Sequence, residues 1–161
     1  MFYGLTTLGV IHTAISLVAL AAGLIALIRD KQITLDNGLG KTYVITTALT
    51  ALTGFGIFQH GGFGKPHVLG VITLIVLAVA WAAGRTALFG AWSRVVEVVS
   101  YSATFLFHWI PTITETSTRL PLGAPLLPNA EAPELVKATG VLVLLFLIGA
   151  ALQVRRLRKQ G

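Results

Sequence analysis

The sequence predicts an all-α membrane protein, a polytopic bundle of five transmembrane helices with its N-terminus outside and its C-terminus in the cytoplasm. Three observations carry this expectation. Of the 161 residues, 55% are hydrophobic and only 11% are charged, where a soluble domain carries about 25% charged residues. The apolar residues come in blocks of the length that crosses a ~30 Å hydrocarbon core at about 1.5 Å rise per residue. The blocks do not alternate, so they read as helices rather than barrel strands, the only other structure that satisfies its backbone in lipid.

The five spans form a single transmembrane domain over residues 1–161. The first, residues 5–28, has no Lys or Arg from Met1 to Leu5 and stays apolar until Arg29-Asp30-Lys31. Ala19-Leu20-Ala21 has the small-residue form of a signal-peptidase site, but the apolar run continues past it, so a retained span is expected. Gly9, Thr13, Ser16, Ala19 and Gly23 give this span small residues for close helix contact. The second span, residues 42–60, carries Thr42, Thr46, Thr47, Thr50 and Thr53, and His60 shares a face with Thr46, Thr50 and Thr53. Such hydroxyls bond back to their own helix or across to a neighbour and support packing. The third span, residues 67–89, follows Pro66, which suits a first helical position because its missing N–H costs nothing there.

The fourth span, residues 94–113, is the least apolar, holding Glu97, Ser100, Tyr101, Ser102, Thr104 and His108. It is kept as a crossing because dropping it would put Arg94 and the basic tail on opposite sides of the membrane. A Pro-rich outer loop, residues 114–134, contains Pro121, Pro125, Pro128 and Pro133 and leads to the fifth span, residues 135–154. Tyr3, Trp81, Trp92 and Trp109 suit interfacial or packing roles.

Charge orients the bundle. Five crossings place Arg29, Lys31, Lys41, Arg85, Arg94, Arg155, Arg156, Arg158 and Lys159 on one side and only Lys65, Arg119 and Lys137 on the other. The basic side is normally cytoplasmic, which accounts for the net charge of +6 without nucleic acid and points to a bacterial inner membrane. The lipid bilayer is the expected partner, and Gly-, Ala- and Thr-rich helices also suit a homo-oligomer or a larger membrane complex. No cysteine is present, which removes disulfides, thiolate metal sites and iron–sulfur clusters and leaves the redox compartment open. Phosphate-binding loops, nucleophile elbows, metalloprotease helices and zinc-ribbon spacings are all missing, so no reaction class is assigned.

This topology puts all four histidines in the outward half. His12 lies about 10 Å inside the start of the first helix, and His108 a similar distance inside the outer end of the fourth. His60 and His67 flank a short Gly-rich turn at the outer interface. Imidazoles from different helices at one depth suit haem b, with His12 and His108 as the pair, or a transition metal ion taking His12, His60, His67 and His108. The plainer alternative makes His60 and His67 ordinary interface residues and His12 and His108 neutral histidines bonded to a neighbouring Ser or Thr, with no cofactor bound.

The fourth span carries a second signal. Glu97, Tyr101, Thr104, His108, Thr112 and Glu115 recur at helical spacing and share one face, which must look into the bundle. Pro111 falls within this stripe and frees the Phe107 carbonyl. A carboxylate near each end with an imidazole between suits a proton relay, and the same stripe suits the wall of a quinone or substrate cavity. The plainer alternative pairs Glu97 with Arg94 and Glu115 with Arg119, each one turn apart.

Several short motifs lie in the first half: His12, Ala19-Leu20, Gly23 and Ala26-Leu27, then Gly38-Leu39-Gly40-Lys41 with Tyr43, then Ala51-Leu52-Thr53-Gly54, Gly64 and His67. In these, residues 8–80 resemble a bacterial family of small multispan inner-membrane proteins known only as a domain of unknown function. In that family's pattern a second histidine usually precedes the Gly-x-Gly-basic element, and Asp36-Asn37 stand there instead. The resemblance implies the fold and supplies no activity. The sequence thus leaves a haem- or metal-binding redox protein with a proton-handling stripe beside two alternatives, a small proton-linked carrier and an accessory or structural subunit without a prosthetic group.

Overall fold

The computed structural model describes residues 6–58 and 62–159. Within them run five α-helices: α1 (Thr7–Arg29), α2 (Gly38–Gly54), α3 (Lys65–Arg85), α4 (Ser93–Arg119) and α5 (Pro133–Arg158). A short 3-10 turn, Gly90–Trp92, leads into α4, and no strand is found among the described residues. His60 and Tyr3 lie outside the described residues.

Helix α1 packs on α2, α2 on α3, and α3 on α4, while α4 also touches α1 and so closes a ring of four. Helix α5 joins this ring from outside, against α4. Three helices, α1, α3 and α5, are long and apolar enough to cross a membrane. The protein is therefore an all-helical bundle of membrane-protein character. At 17 residues, α2 spans only about 25 Å. Helix α4 has length to spare at 27 residues but carries charge and a Pro inside it.

The ends of the elements depart from the sequence reading in four main places. Helix α2 stops at Gly54 rather than near residue 60, because the Phe55 and Gly56 amides turn onto the Leu52 and Thr53 carbonyls, three residues back. Helix α3 stops at Arg85 rather than near residue 89, where the Thr86 amide closes on the Ala82 carbonyl. Helix α4 continues six residues past 113, to Arg119, so the Pro-rich connection begins at Leu120. The added turns carry the Glu115–Arg119 ion pair, and the Thr114 and Thr118 hydroxyls bond back to the carbonyls of Ile110 and Thr114. Helix α5 continues through Arg158, where three arginines in its last turn face the negative end of its dipole.

Small and polar side chains make up much of the interior, with Ile33, Leu77 and Val98 buried among them, while most large aliphatics point out. Ala19, Ala22, Ala26, Ala80 and Ala83 are buried with Tyr43 and Tyr101 at the centre, whereas Leu17, Ile25, Ile28, Leu144 and Leu147 are exposed. Lipid offers no hydrophobic drive between helices, so close packing of small residues and hydrogen bonds hold such bundles together.

The α1–α2 connection is tied down by polar contacts. Asn37 caps α2 by accepting from the Gly40 amide at 2.9 Å and donates to Asp30 at 3.3 Å. A Cβ at Gly40 would lie 1.8 Å from the Thr34 carbonyl oxygen, so only glycine fits. Gln153 of α5 accepts from the Ser102 hydroxyl at 3.0 Å and donates to the Lys31 carbonyl at 2.9 Å. One buried amide thereby joins α5, α4 and the α1–α2 connection.

Candidate functional site

A cavity of about 560 Å³ opens between α1, α2, α3 and α4, at the end of the bundle away from the Arg155–Lys159 tail. His12, His67 and His108 all line it, as do Thr112, Glu115 and Arg119. Three of the four histidines thus line one cavity, and the fourth, His60, lies outside the described residues.

The two deeper histidines are held by threonines of α2. His12 Nδ1 lies 3.1 Å from the Thr53 hydroxyl, which gives its own hydrogen to the Leu49 and Thr50 carbonyls. A hydroxyl has one hydrogen to give, so with that hydrogen on the backbone Thr53 accepts from His12 Nδ1–H, and the Thr50 carbonyl is a further acceptor for the ring N–H. The Nε2 lone pair of His12 is left over.

His108 begins a longer file. Its Nε2 lies 3.0 Å from the Thr47 hydroxyl, which also meets the Tyr43 phenol. Tyr43 Oη lies 2.8 Å from the Thr104 hydroxyl, and Thr104 donates to the Tyr101 carbonyl at 2.8 Å. Read back from that carbonyl, each hydroxyl is already committed: Tyr43 donates to Thr104, Thr47 to Tyr43, and His108 Nε2–H to Thr47. His108 Nδ1 keeps its lone pair. Tyr43, Thr47 and Thr104 are each 0% exposed, so this file runs in a dry interior where an unmade bond is costly.

His67 is used differently. Its Nδ1 accepts from the Gly64 amide at 3.2 Å, which caps its own helix. Its ring stacks between Phe58 and Phe63, with centroids 5.0 and 5.1 Å away, and Nε2 is buried without a partner. Among the described residues no three His, Cys, Asp or Glu side chains gather as a metal-binding group.

The α4 stripe does face inward. Glu97, Tyr101, Thr104 and His108 are buried, Thr112 is half-buried and Glu115 is exposed near the cavity mouth. Both expected ion pairs form: Arg94 meets Glu97 at 2.6 Å and stands 3.8 Å from Asp36, and Arg119 binds Glu115. The Tyr101 hydroxyl, between Glu97 and the hydroxyl file, is buried without a partner. At the α1–α2 connection, the Arg29 guanidinium bonded to Asp30 holds that carboxyl below the usual aspartate range.

The α2 threonines, expected as packing residues, and Tyr43, not expected in the site at all, thus both belong to it. The available signal was a matched spacing: Tyr43 and Thr47 on α2 stand four apart, as do Thr104 and His108 on α4. Two such pairs on facing helices can interleave.

The fold and site define a helical membrane-type bundle with a largely apolar cavity at one end, into which a few polar side chains converge. No known protein family, curated protein or solved structure matches the chain. The likeness of residues 8–80 to a family of unknown function therefore rests on its short motifs alone.

Proposed function

We propose that the protein is a five-span bacterial inner-membrane protein that binds a small, mostly apolar molecule in the outward half of the bundle. The N-terminus lies outside and the Arg155–Lys159 tail lies in the cytoplasm. The observation that carries this reading is the convergence of His12 and His108 on one cavity, each with one nitrogen spent on a threonine and the other unspent. Two imidazole lone pairs in a largely apolar cavity suit a ligand with hydroxyl hydrogens to donate, such as a lipid-soluble phenol or hydroquinone. Glu115 and Arg119 at the mouth supply the polar rim.

The same lone pairs are the donors that haem iron or a transition metal would take, with Thr53 and Thr47 as the supporting partners that orient them. A lone metal ion is the less well served, because among the described residues no three His, Cys, Asp or Glu side chains gather as a metal-binding group; haem iron needs only two imidazoles and is separated from an organic ligand by experiment. The two readings separate in one preparation. Protein purified in mild detergent should release a stoichiometric lipid-soluble hydroxyl compound detectable by mass spectrometry. A Soret band or stoichiometric metal would instead select the redox reading.

The buried file from His108 to Tyr101 supports a further role for the α4 stripe in handling protons. A proton taken from the cavity at His108 Nδ1 would be held on the imidazolium, its Nε2–H bonded to Thr47 and backed by Tyr43 and Thr104, and would return to the cavity from the same nitrogen. In a proton-linked carrier, uptake into proteoliposomes would then depend on a pH gradient and fall in Tyr43→Phe.

A further inference from the structure

On the other side of α4 lies a second cavity, of about 400 Å³, between α4 and α5. Its walls are apolar, with Phe105, Leu106 and Trp109 on α4 facing Leu142, Phe146 and Gly149 on α5. The two polar side chains in it, Ser102 and Gln153, bond to each other at 3.0 Å, and the Gln153 amide is further spent on the Lys31 carbonyl. Apart from the Trp109 indole, the cavity therefore offers a ligand hydrocarbon contact. Gly149 helps to open it, since a Cβ there would meet no atom within 4 Å.

Its length and its surroundings narrow the occupant. Leu142 and Gln153, at its two ends along α5, are separated by about 16 Å at helical rise. That is close to half of a ~30 Å hydrocarbon core, the depth of one leaflet. Immediately beyond Gln153 come Arg155, Arg156, Arg158 and Lys159. Arg156 donates to the Asp30 carbonyl at 3.2 Å, and Arg158 sits 4.9 Å over the Trp92 ring. Among the described residues, no carboxylate forms an ion pair with any of these four cations. A groove one leaflet deep thus ends at an unneutralised basic cluster.

We propose that the α4–α5 groove holds one acyl chain of an anionic phospholipid whose phosphate sits among Arg155, Arg156 and Arg158. The chain fills space that neither helix fills, and the headgroup neutralises the cations.

Native mass spectrometry of the detergent-purified protein tests this, with dioleoyl phosphatidylglycerol or dioleoyl phosphatidylcholine added as probes. One phosphatidylglycerol should be retained, at least about tenfold in preference to phosphatidylcholine. Gly149→Phe should fill the groove and abolish retention of the anionic lipid, while Arg155→Gln with Arg158→Gln should remove the preference. Should Gly149→Phe not fold, Gly149→Leu is read in the same way. Equal retention of the two lipids would overturn the proposal. So would undiminished phosphatidylglycerol in the filled variants, which would put the lipid on the basic tail alone. Dimerisation of wild type that Gly149→Phe abolishes, with no lipid retained, would assign the groove to a second copy instead and would also overturn it.

Discussion

The His108 imidazole on α4 gives its Nε2 hydrogen to the Thr47 hydroxyl on α2, 3.0 Å away in the buried centre of the bundle. This bond starts the file through Tyr43 and Thr104 and fixes which nitrogen of His108 is left for the cavity. Thr47→Val keeps the shape and removes the acceptor, leaving a buried N–H unmet at a cost of about 1–3 kcal/mol. The melting temperature in detergent should fall, while Thr47→Ser stays close to wild type. A Thr47→Val protein as stable as wild type would mean that the bond contributes nothing.

The Arg94–Glu97 pair predicts an asymmetry. Glu97 is buried, but the Arg94 side chain is 41% exposed. Arg94→Gln strands a buried carboxylate, whereas Glu97→Gln leaves an arginine that can turn to water. Arg94→Gln should therefore be the more destabilising, by about 1–2 kcal/mol, less than for a wholly buried pair because Arg94 is hydrated. Thermal unfolding of the two variants side by side checks the order.

At Gly40 any side chain meets the backbone. Its Cβ would fall 1.8 Å from the Thr34 carbonyl oxygen, and backbone cannot swing aside as a flexible side chain can. Gly40→Ala should cost on the order of 3 kcal/mol and show as low yield and early unfolding. Gly38→Ala, two residues away with no atom within 4 Å of its Cβ, is the control and should be tolerated.

Asp30 gives a pH prediction with a definite sign. Its hydrogen bonds with Arg29, backed by their charge attraction, depress its pKa. The contribution of this contact is present above the ordinary aspartate pKa and is lost as pH falls through the depressed folded value. In a carboxyl-carbon NMR titration Asp30 should titrate below an unpaired aspartate, and Arg29→Gln should move it back up. An unchanged midpoint in that variant would remove the assigned cause.

Much of this architecture is legible in the sequence because hydropathy and charge act over whole segments. The apolar blocks locate α1, α3 and α5, and the four-, three- and four-residue spacing of Glu97, Tyr101, Thr104 and His108 places them on the buried face of α4. Element ends are less legible. Helix α2 closes at Gly54 through local amide turns, and α4 runs on to Arg119 because threonines and an ion pair sustain it. Pairings between helices are the least legible, since they depend on rotation of one helix against another. Thr47 rather than Thr46 meets His108, and Gln153 reaches Ser102 and Lys31, for reasons that no single helix contains.

The central claim is that the unspent nitrogens of His12 and His108 receive a lipid-soluble donor in one cavity. The most direct measurement is calorimetric binding of a short-chain alkylated hydroquinone to purified wild type, His12→Ala and His108→Ala in the same detergent. Saturable binding at one site, weakened about fivefold to tenfold by each substitution as expected for the loss of one hydrogen bond, is the predicted result. Binding that is absent from wild type, or unchanged in both variants, would contradict the account.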